Sequence, residues 1–335
     1  LSRDKDLPVQ RTLWPVVARA RVPGLRERTM SNAQTIRIGT RGSALARWQA
    51  EWVAGQLQSA GIAVELITIS TQGDVKTGPI GAIGTQGVFT KELQRALLDD
   101  QIDLAVHSLK DLPTEVVPGL TLAAVPPREA CGDALVASRF ANLNAVPEGA
   151  RIGTGSARRR AQLLHARPDL QVLDIRGNVD TRLRKLDDGE YDAILLAEAG
   201  LKRLGLADRI ASILPKEMML PAVGQGALGL EIREEDEPTI QALRPLNDPA
   251  SQAAVVAERS LLAALRGGCL APIGAWGRVE GDQLRLDAVV LDHEGSNRLS
   301  ASDVAEPSDA IRLGTSVAVN LLNDGAAELI ASSRG

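Results

Sequence analysis

Three kinds of residue in this sequence could do chemistry: a cysteine behind two glycines, an acid at the end of an apolar run, and a concentration of arginines. Cys269 lies in Gly267-Gly268-Cys269 with Pro272 soon after, a turn in which missing side chains let other groups approach the sulfur. A partly ionised cysteine is the best nucleophile among ordinary side chains and can carry a permanent thioether. Residue type alone favours an inert buried thiol, and that reading stands for Cys131. Asp111 stands in His107-Ser108-Leu109-Lys110-Asp111-Leu112-Pro113, after a run that reads as a buried strand. Its polar residues therefore emerge at a strand's C-terminal end, where α/β proteins place ligands. Asp111 could act on protons or stabilise a cation. A Lys-Asp pair is also a common surface ion pair, and His107 alone reads as a satisfied core histidine.

The arginines are local. Between Arg151 and Arg203 there are nine arginines and two lysines against eight acids, although the whole chain carries a formal charge of −4. Arg158, Arg159 and Arg160 open a predicted helix behind Ser156, Arg176 ends a predicted strand at Arg176-Gly177-Asn178, and Arg182 lies one turn into the next helix. Cations at helix starts oppose the helix dipole, a placement that makes sense where an anion is received. The planar guanidinium fork suits a carboxylate held by two hydrogen bonds, and phosphate is also served. Arg167 and Arg184 read as solvated faces; Arg158, Arg159, Arg176 and Arg182 read as ligand-facing.

The elements that must position these groups follow an α/β pattern. Residues 36–40 read as a strand, 44–59 as a helix and 64–70 as a strand; Trp48 and Trp52, four apart on that helix, read as core packing. Residues 72–87 are rich in glycine and read either as a lid or as an ordinary surface loop. A helix over 89–99 and a strand over 102–107 come next. Ile38-Gly39-Thr40-Arg41-Gly42-Ser43-Ala44 is echoed by Ile152-Gly153-Thr154-Gly155-Ser156-Ala157, and more loosely residues 103–112 by 192–204, so the two halves read as related lobes. Each presents a helix N-terminus from its turn, and a cleft that holds anions follows. A strand over 228–232 and a helix over 249–265 precede three consecutive strands (273–279, 284–291, 298–304) and a helix over 308–322, an α+β unit.

At 335 residues and 44% hydrophobic the chain can bury more than one core. Its charge balance argues against a surface built for nucleic acid or anionic membrane. Two distant cysteines and three scattered histidines give no metal-ligand spacing and no disulfide framework, and no apolar run approaches the roughly 20 residues of a spanning helix. A reducing, soluble, cytoplasmic setting is expected. Residues 1–34 read as an extraneous or disordered extension, with Met30 offering a translation start just before the first strand.

Seven stretches, in this order, resemble the porphobilinogen deaminase family: IGTRGSALARWQ, GVFTKEL, DLAVHSLKDLP, RGNVDTRL, YDAILLAEAGLKRLGL, LPAVGQGALGLE and GGCLAPIG. The resemblance runs over residues 36–330. It implies an α/β fold of two lobes like those of periplasmic binding proteins around a cleft, plus a smaller C-terminal α+β domain. Lobe 1 is then 35–127 with 222–245, lobe 2 is 128–221, and the last domain 246–335. It also implies a dipyrromethane cofactor joined to the sulfur of Cys269, onto which four porphobilinogen molecules are deaminated and coupled before hydroxymethylbilane is released. By the same resemblance Asp111 is the catalytic carboxylate and stabilises the cationic azafulvene left when ammonia departs. Ser43, Lys110, Asp111, Thr154, Ser156, Arg158, Arg159, Arg176 and Arg182 hold the cofactor with Cys269, and Arg41, Ser43, Arg176, Arg182 and Arg203 hold the substrate. No metal is implied; a monomer is, with uroporphyrinogen-III synthase acting downstream. The family's lysine-bearing lid segment reads here Ala82-Ile83-Gly84-Thr85-Gln86-Gly87, without lysine. A non-catalytic two-lobed receptor for a carboxylated solute would explain the echoes and the arginines equally well, but it would need neither Cys269 nor Asp111.

Overall fold

A computed structural model of the chain describes residues 35–70, 90–266 and 271–332. The expectations for residues 1–34, for the lid segment with Ala82 and Gln86, and for Cys269 fall outside the described residues.

The first lobe begins with β1 (Ile36–Thr40), α1 (Ala44–Ser59), β2 (Val64–Thr68), α2 (Lys91–Leu98), β3 (Leu104–Ser108) and β4 (Leu120–Ala124). The second contains β5 (Asp133–Val136), β6 (Arg151–Gly153), α3 (Ala157–Ala166), β7 (Gln171–Leu173), α4 (Val179–Asp187), β8 (Ala193–Ala197), α5 (Glu198–Arg203) and β9 (Ser212–Ile213). The chain then returns to the first lobe as β10 (Leu228–Arg233) and α6 (Glu237–Leu243). Each lobe is one five-stranded sheet, ordered β2-β1-β3-β10-β4 and β7-β6-β8-β5-β9. In the first, β1 runs parallel to β2 and β3, and β10 runs antiparallel to β3 and β4. In the second, β6 runs parallel to β7 and β8, and β5 antiparallel to β8 and β9.

Burial explains why these segments are strands. Along β3 the side chains alternate: Leu104 and Val106 join α1 through Ala50, Val53 and Leu57, whereas Ala105 packs with Leu93 and Leu97 of α2. A sheet covered by helices on both faces needs such continuously apolar strands, and each large side chain fully buried there contributes about 1.5–3 kcal/mol. Helices start where the sequence supplies caps: Ser43 accepts from the N–H of Ala46 and Ser156 from that of Arg159, each satisfying a donor that the first helical turn leaves unpaired.

The two lobes share more than strand order. Arg37 at the start of β1 donates to Asp103 from its backbone N–H and from its guanidinium (2.9, 2.9 and 2.7 Å), and also to the carbonyl of Asp100. Arg151 at the start of β6 does the same to Asp192, and to the carbonyl of Gly189. Asp100 and Gly189 both have positive φ (55° and 77°), so the same left-handed turn ends α2 and α4. The sequence echo of the Gly-Thr turns thus extends to an ion-paired clamp in each lobe.

The C-terminal domain comprises α7 (Pro249–Ala264), the antiparallel sheet β11 (Ile273–Glu280), β12 (Gln283–Leu291), β13 (Arg298–Ala305), and α8 (Ala310–Asn323) with α9 (Ala326–Ser332). Helix α7 is wedged between sheet and α8, and two glycines make the fit possible. A Cβ on Gly314 would lie 2.2 Å from the carbonyl oxygen of Ala257, and one on Gly277 2.6 Å from that of Ala254. Glu258 of α7, fully buried, accepts from the N–H of Gly224 and of Gly277 (2.7 Å each) and from Arg128 (2.7 and 3.2 Å). One carboxylate therefore ties the C-terminal sheet to both segments that cross between the lobes.

Two sequence expectations are corrected. Arg176 does not end a strand: β7 stops at Leu173, and the hydroxyl of Tyr191 donates to the carbonyl of Asp174 (2.8 Å), so the backbone leaves the ladder before Arg176. Trp52 packs on the lobe 1 core as expected, but the Trp48 ring lies beneath the guanidinium of Arg203, 5.8 Å from it, a contact between α1 and α5.

Candidate active site

Both lobes turn the C-terminal ends of their parallel strands toward one cleft, where loops are free to carry polar groups. On the lobe 1 side, β1 leads to Arg41 and the cap Ser43, and β3 leads through Ser108 into a single 3-10 turn, Leu109–Asp111. That turn is fixed at its entrance, where the N–H of Leu109 donates to the carbonyl of Ala227 (3.0 Å), and closed by Leu112 N–H on Leu109 (3.2 Å). Leu109 is buried while Lys110 and Asp111 are exposed to the cleft. The buried leucine thus fixes which way its two charged neighbours face.

Asp111 borders a small cavity of about 70 Å³ that it shares with Arg41, Ser43, Gln49, Thr90, His107 and Ser108 among others. Gln49 donates to Ser108 Oγ (2.7 Å), and the hydroxyl of buried Thr90 has no partner among the described residues. His107 keeps to the core: its Nε2 is 2.7 Å from Glu231 of β10, which also accepts from Gln94 (2.9 Å). The reading of His107 as a satisfied core histidine therefore fits the structure.

On the lobe 2 side, Arg158 and Arg159 at the start of α3 are buried, 4% and 5% exposed. The anion they meet is the protein's own. Asp133, at the first position of β5, receives both Nη groups of Arg158 (2.6 and 3.1 Å), Nε of Arg159 (2.7 Å) and Nε2 of Gln225 (3.1 Å). Burial by itself would raise the Asp133 carboxyl, but the two arginines win and hold it well below the usual carboxylate range. Two cations against one anion leave a positive excess, and Nε of Arg158 has no hydrogen-bond partner among the described residues. Thr154 Oγ1 accepts from the Ser156 N–H (3.3 Å), so the turn between β6 and α3 is held by its own side chains.

Arg176 pairs with Asp174 (2.7 Å) on the exposed turn after β7, and Arg182 of α4 donates to the carbonyl of Gly177 (2.8 Å). Arg182 feels Arg159, Asp174, Asp111 and Arg176 electrostatically; burial pushes its guanidinium down. Lys110 reaches solvent in the cleft, yet the walls around it push its ammonium down to about 8, with Asp111 opposing and Arg159 adding to the fall. Lys110 of one lobe thus feels Arg158 and Arg159 of the other, and Arg182 feels Asp111. Arg203 stands apart from this group, on Trp48 and on the carbonyl of Gly226 (2.7 Å) at the crossing between lobes.

Sequence reasoning missed Asp133, Glu231, Glu258 and Arg259. The signal was present: each is a charge embedded in an apolar run, as in Gly132-Asp133-Ala134-Leu135-Val136 or Val256-Ala257-Glu258-Arg259-Ser260-Leu261. Charges are rarely buried unless paired, so an acid or arginine within such a run asks for a partner elsewhere in the chain. Among the described residues no group of three His, Cys, Asp or Glu side chains could hold a metal ion, and no helix is long and apolar enough to cross a membrane.

Residues 36–241 match the family description "Porphobilinogen deaminase, dipyromethane cofactor binding domain", and residues 252–323 match "Porphobilinogen deaminase, C-terminal domain". The chain is similar to the porphobilinogen deaminase of Acidithiobacillus ferrooxidans, 49% identical over 303 residues that make up 90% of this chain and 98% of that one. It is also similar to the porphobilinogen deaminase of Syntrophotalea carbinolica, 46% identical over 304 residues, 90% of this chain and 96% of that one. Among solved structures it aligns with the methionine-binding protein MetQ (14% identical, TM-score 0.42, 63% of this chain and 89% of that one). It aligns also with the periplasmic VFT2 domain of Bordetella pertussis BvgS (16% identical, TM-score 0.38, 62% and 85%).

Proposed function

The chain belongs to the porphobilinogen deaminase family, and on that premise we propose that it is a hydroxymethylbilane synthase. It is a transferase that deaminates four porphobilinogen molecules, couples them head to tail onto a covalently bound dipyrromethane, and releases hydroxymethylbilane and ammonia. The observation that carries the reading is the opposition, across one cleft, of an acid-bearing turn and a group of arginines that Asp133 only partly neutralises.

The donor set fits a polypyrrole whose rings each carry an acetate and a propionate. Cationic side chains outnumber acidic ones around the cleft, and the buried Nε of Arg158 has no partner among the described residues. Ser43, Lys110, Thr154, Ser156, Arg158, Arg159, Arg176 and Arg182 hold the cofactor, with Cys269 as its covalent anchor, and Arg41, Ser43, Arg176, Arg182 and Arg203 grip the substrate. When bound, the cofactor supplies the pyrrole carbon to which the first substrate is joined, and it stays on the sulfur when the product leaves. A charged hydrogen bond is worth only about 1.5–3 kcal/mol, so several arginines must act together on a chain that gains carboxylates with each cycle.

Asp111 has the part that the arginines cannot take. Its carboxylate stabilises the positive charge that develops as the substrate's C–N bond breaks, and it handles the proton lost from the pyrrole carbon that forms the new C–C bond. Residues 35–127 with 222–245 form lobe 1, 128–221 lobe 2 and 246–335 the domain that carries Cys269. The enzyme works as a monomer in the cytoplasm, where a reducing pool keeps Cys131 and Cys269 out of disulfides, and uroporphyrinogen-III synthase takes its product.

Intact mass under denaturing conditions tests the assignment. Protein made in a host that produces porphobilinogen should exceed its sequence mass by two pyrrole units, and the Cys269→Ser variant should not. A wild-type chain at its bare mass refutes it.

A further inference from the structure

Helix α7 is largely apolar and carries just two charges, the adjacent Glu258 and Arg259. Glu258 has partners that account for it. Arg259 is harder to explain: it is 7% exposed and, among the described residues, its guanidinium hydrogen-bonds only backbone carbonyls, Nη1 donating to Leu112 (2.8 Å) and Nη2 to Pro113 (2.7 Å). Burial pushes the group down to about 10, opposed by the field of Glu231. An arginine buried without a bonded anion is costly, and a methionine would fill such a place in an apolar helix at no such cost.

The carbonyls it grips are those of the two residues that follow Asp111. The entrance of the Leu109–Asp111 turn is held by Ala227; its exit is held by Arg259, reaching in from the C-terminal domain. The planar fork spans two successive carbonyls, which a lysine cannot do. We propose that Arg259 is a positioning residue: by clamping the main chain behind Asp111 it sets the direction of that carboxylate in the cleft, so the seating of the C-terminal domain and the geometry of the acid are fixed by one side chain. The proposal rests on the reading of Asp111 as the carboxylate that acts on substrate.

The test uses cofactor-loaded protein, verified by mass, with Arg259→Met, Arg259→Lys, Arg259→Ala and Asp111→Ala measured side by side. Displacing a catalytic group by an ångström costs on the order of 100-fold in rate, so Arg259→Met should lower kcat by roughly 10- to 100-fold, with KM within about twofold and the melting temperature held. Arg259→Lys should recover part of the loss, and millimolar methylguanidinium should raise kcat of Arg259→Ala but leave Asp111→Ala inactive. Unchanged kcat in Arg259→Met overturns the proposal. So does a loss that follows the melting temperature across the variants and resists methylguanidinium, because that pattern is purely structural. Substantial turnover by a folded Asp111→Ala variant would instead remove the underlying reading of Asp111, an outcome scored on a different protein.

Discussion

Replacing Asp133 by asparagine keeps the shape of the residue and removes the one anion between two buried guanidiniums. The carboxylate accepts four hydrogen bonds, two from Arg158, one from Arg159 and one from Gln225; an amide has one acceptor oxygen, and its NH2 group would face the N–H groups of an arginine. Removing one partner of a buried ion pair costs about 3–5 kcal/mol, chiefly because the remaining charge is stranded. In urea, with a slope of about 3 kcal/mol/M, that moves the midpoint down by roughly 1–1.7 M, which circular dichroism at pH 7 would resolve. The deficit should be flat from pH 5 to 8. The folded-state carboxyl is depressed, so its contribution in the wild type is complete above the unfolded value of about 4 and fades only as pH falls below that toward the folded value. Adding Arg159→Met should restore part of the stability, since it withdraws one of the stranded charges. A loss under about 1 kcal/mol for Asp133→Asn, the range of an exposed pair, or a deficit that grows between pH 5 and 8, would refute the picture of Asp133 as the buried counter-ion.

Two more outcomes follow from the same geometry. Lys110 loses its proton near pH 8, so KM for porphobilinogen should be level below that pH and rise above it, and Lys110→Met should flatten the rise; an unaltered profile in that variant removes Lys110 as the cause. The two lobe clamps should differ in strength, because Asp103 is 4% exposed and serves both Arg37 and Arg233, whereas Asp192 is 18% exposed and faces the more open Arg151 and Arg139. Asp103→Asn should therefore cost about 2–3 kcal/mol and Asp192→Asn about 1 kcal/mol in urea unfolding, and equal losses would contradict the burial argument.

Much of the scaffold was legible in the residues because local rules decide it. Helix 44–59 was bounded by a serine cap and by periodicity, and the three C-terminal strands by alternation. What sequence could not give was partnership at long range. Arg158 and Arg159 read as waiting for an external anion; Asp133 lies 25 residues upstream of Arg158 on strand β5, and its place in an apolar run asks for a partner without naming one. Arg176 read as a strand end because the apolar run continues to Ile175; the strand stops earlier because a tyrosine from the next β-α unit takes the Asp174 carbonyl. Resemblance puts Arg203 with the substrate, but its contacts with Trp48 and with the carbonyl of Gly226 join distant segments and have no local signal. The echoes between halves point to paired lobes, and in the fold the echo extends to Arg37 with Asp103 and Arg151 with Asp192.

Matching those clamps puts the halves in register, and the register shows where they differ. Counted from Asp103 and Asp192, Lys110 falls opposite Ala199 and Asp111 opposite Gly200; counted from the capping serines, Arg158 and Arg159 fall opposite Leu45 and Ala46. A common plan has been specialised into a reactive half and a gripping half. The two duties can then be redesigned separately: the lobe 2 arginines could be regrouped for a differently substituted polyacid while the acid-bearing turn stays as it is. Gly200 marks the spot for the converse experiment. Among the described residues only Leu45 Cδ2, at 3.8 Å, approaches the place a side chain would begin there, so the gripping half has room at that point to accept a side chain where its counterpart carries the acid.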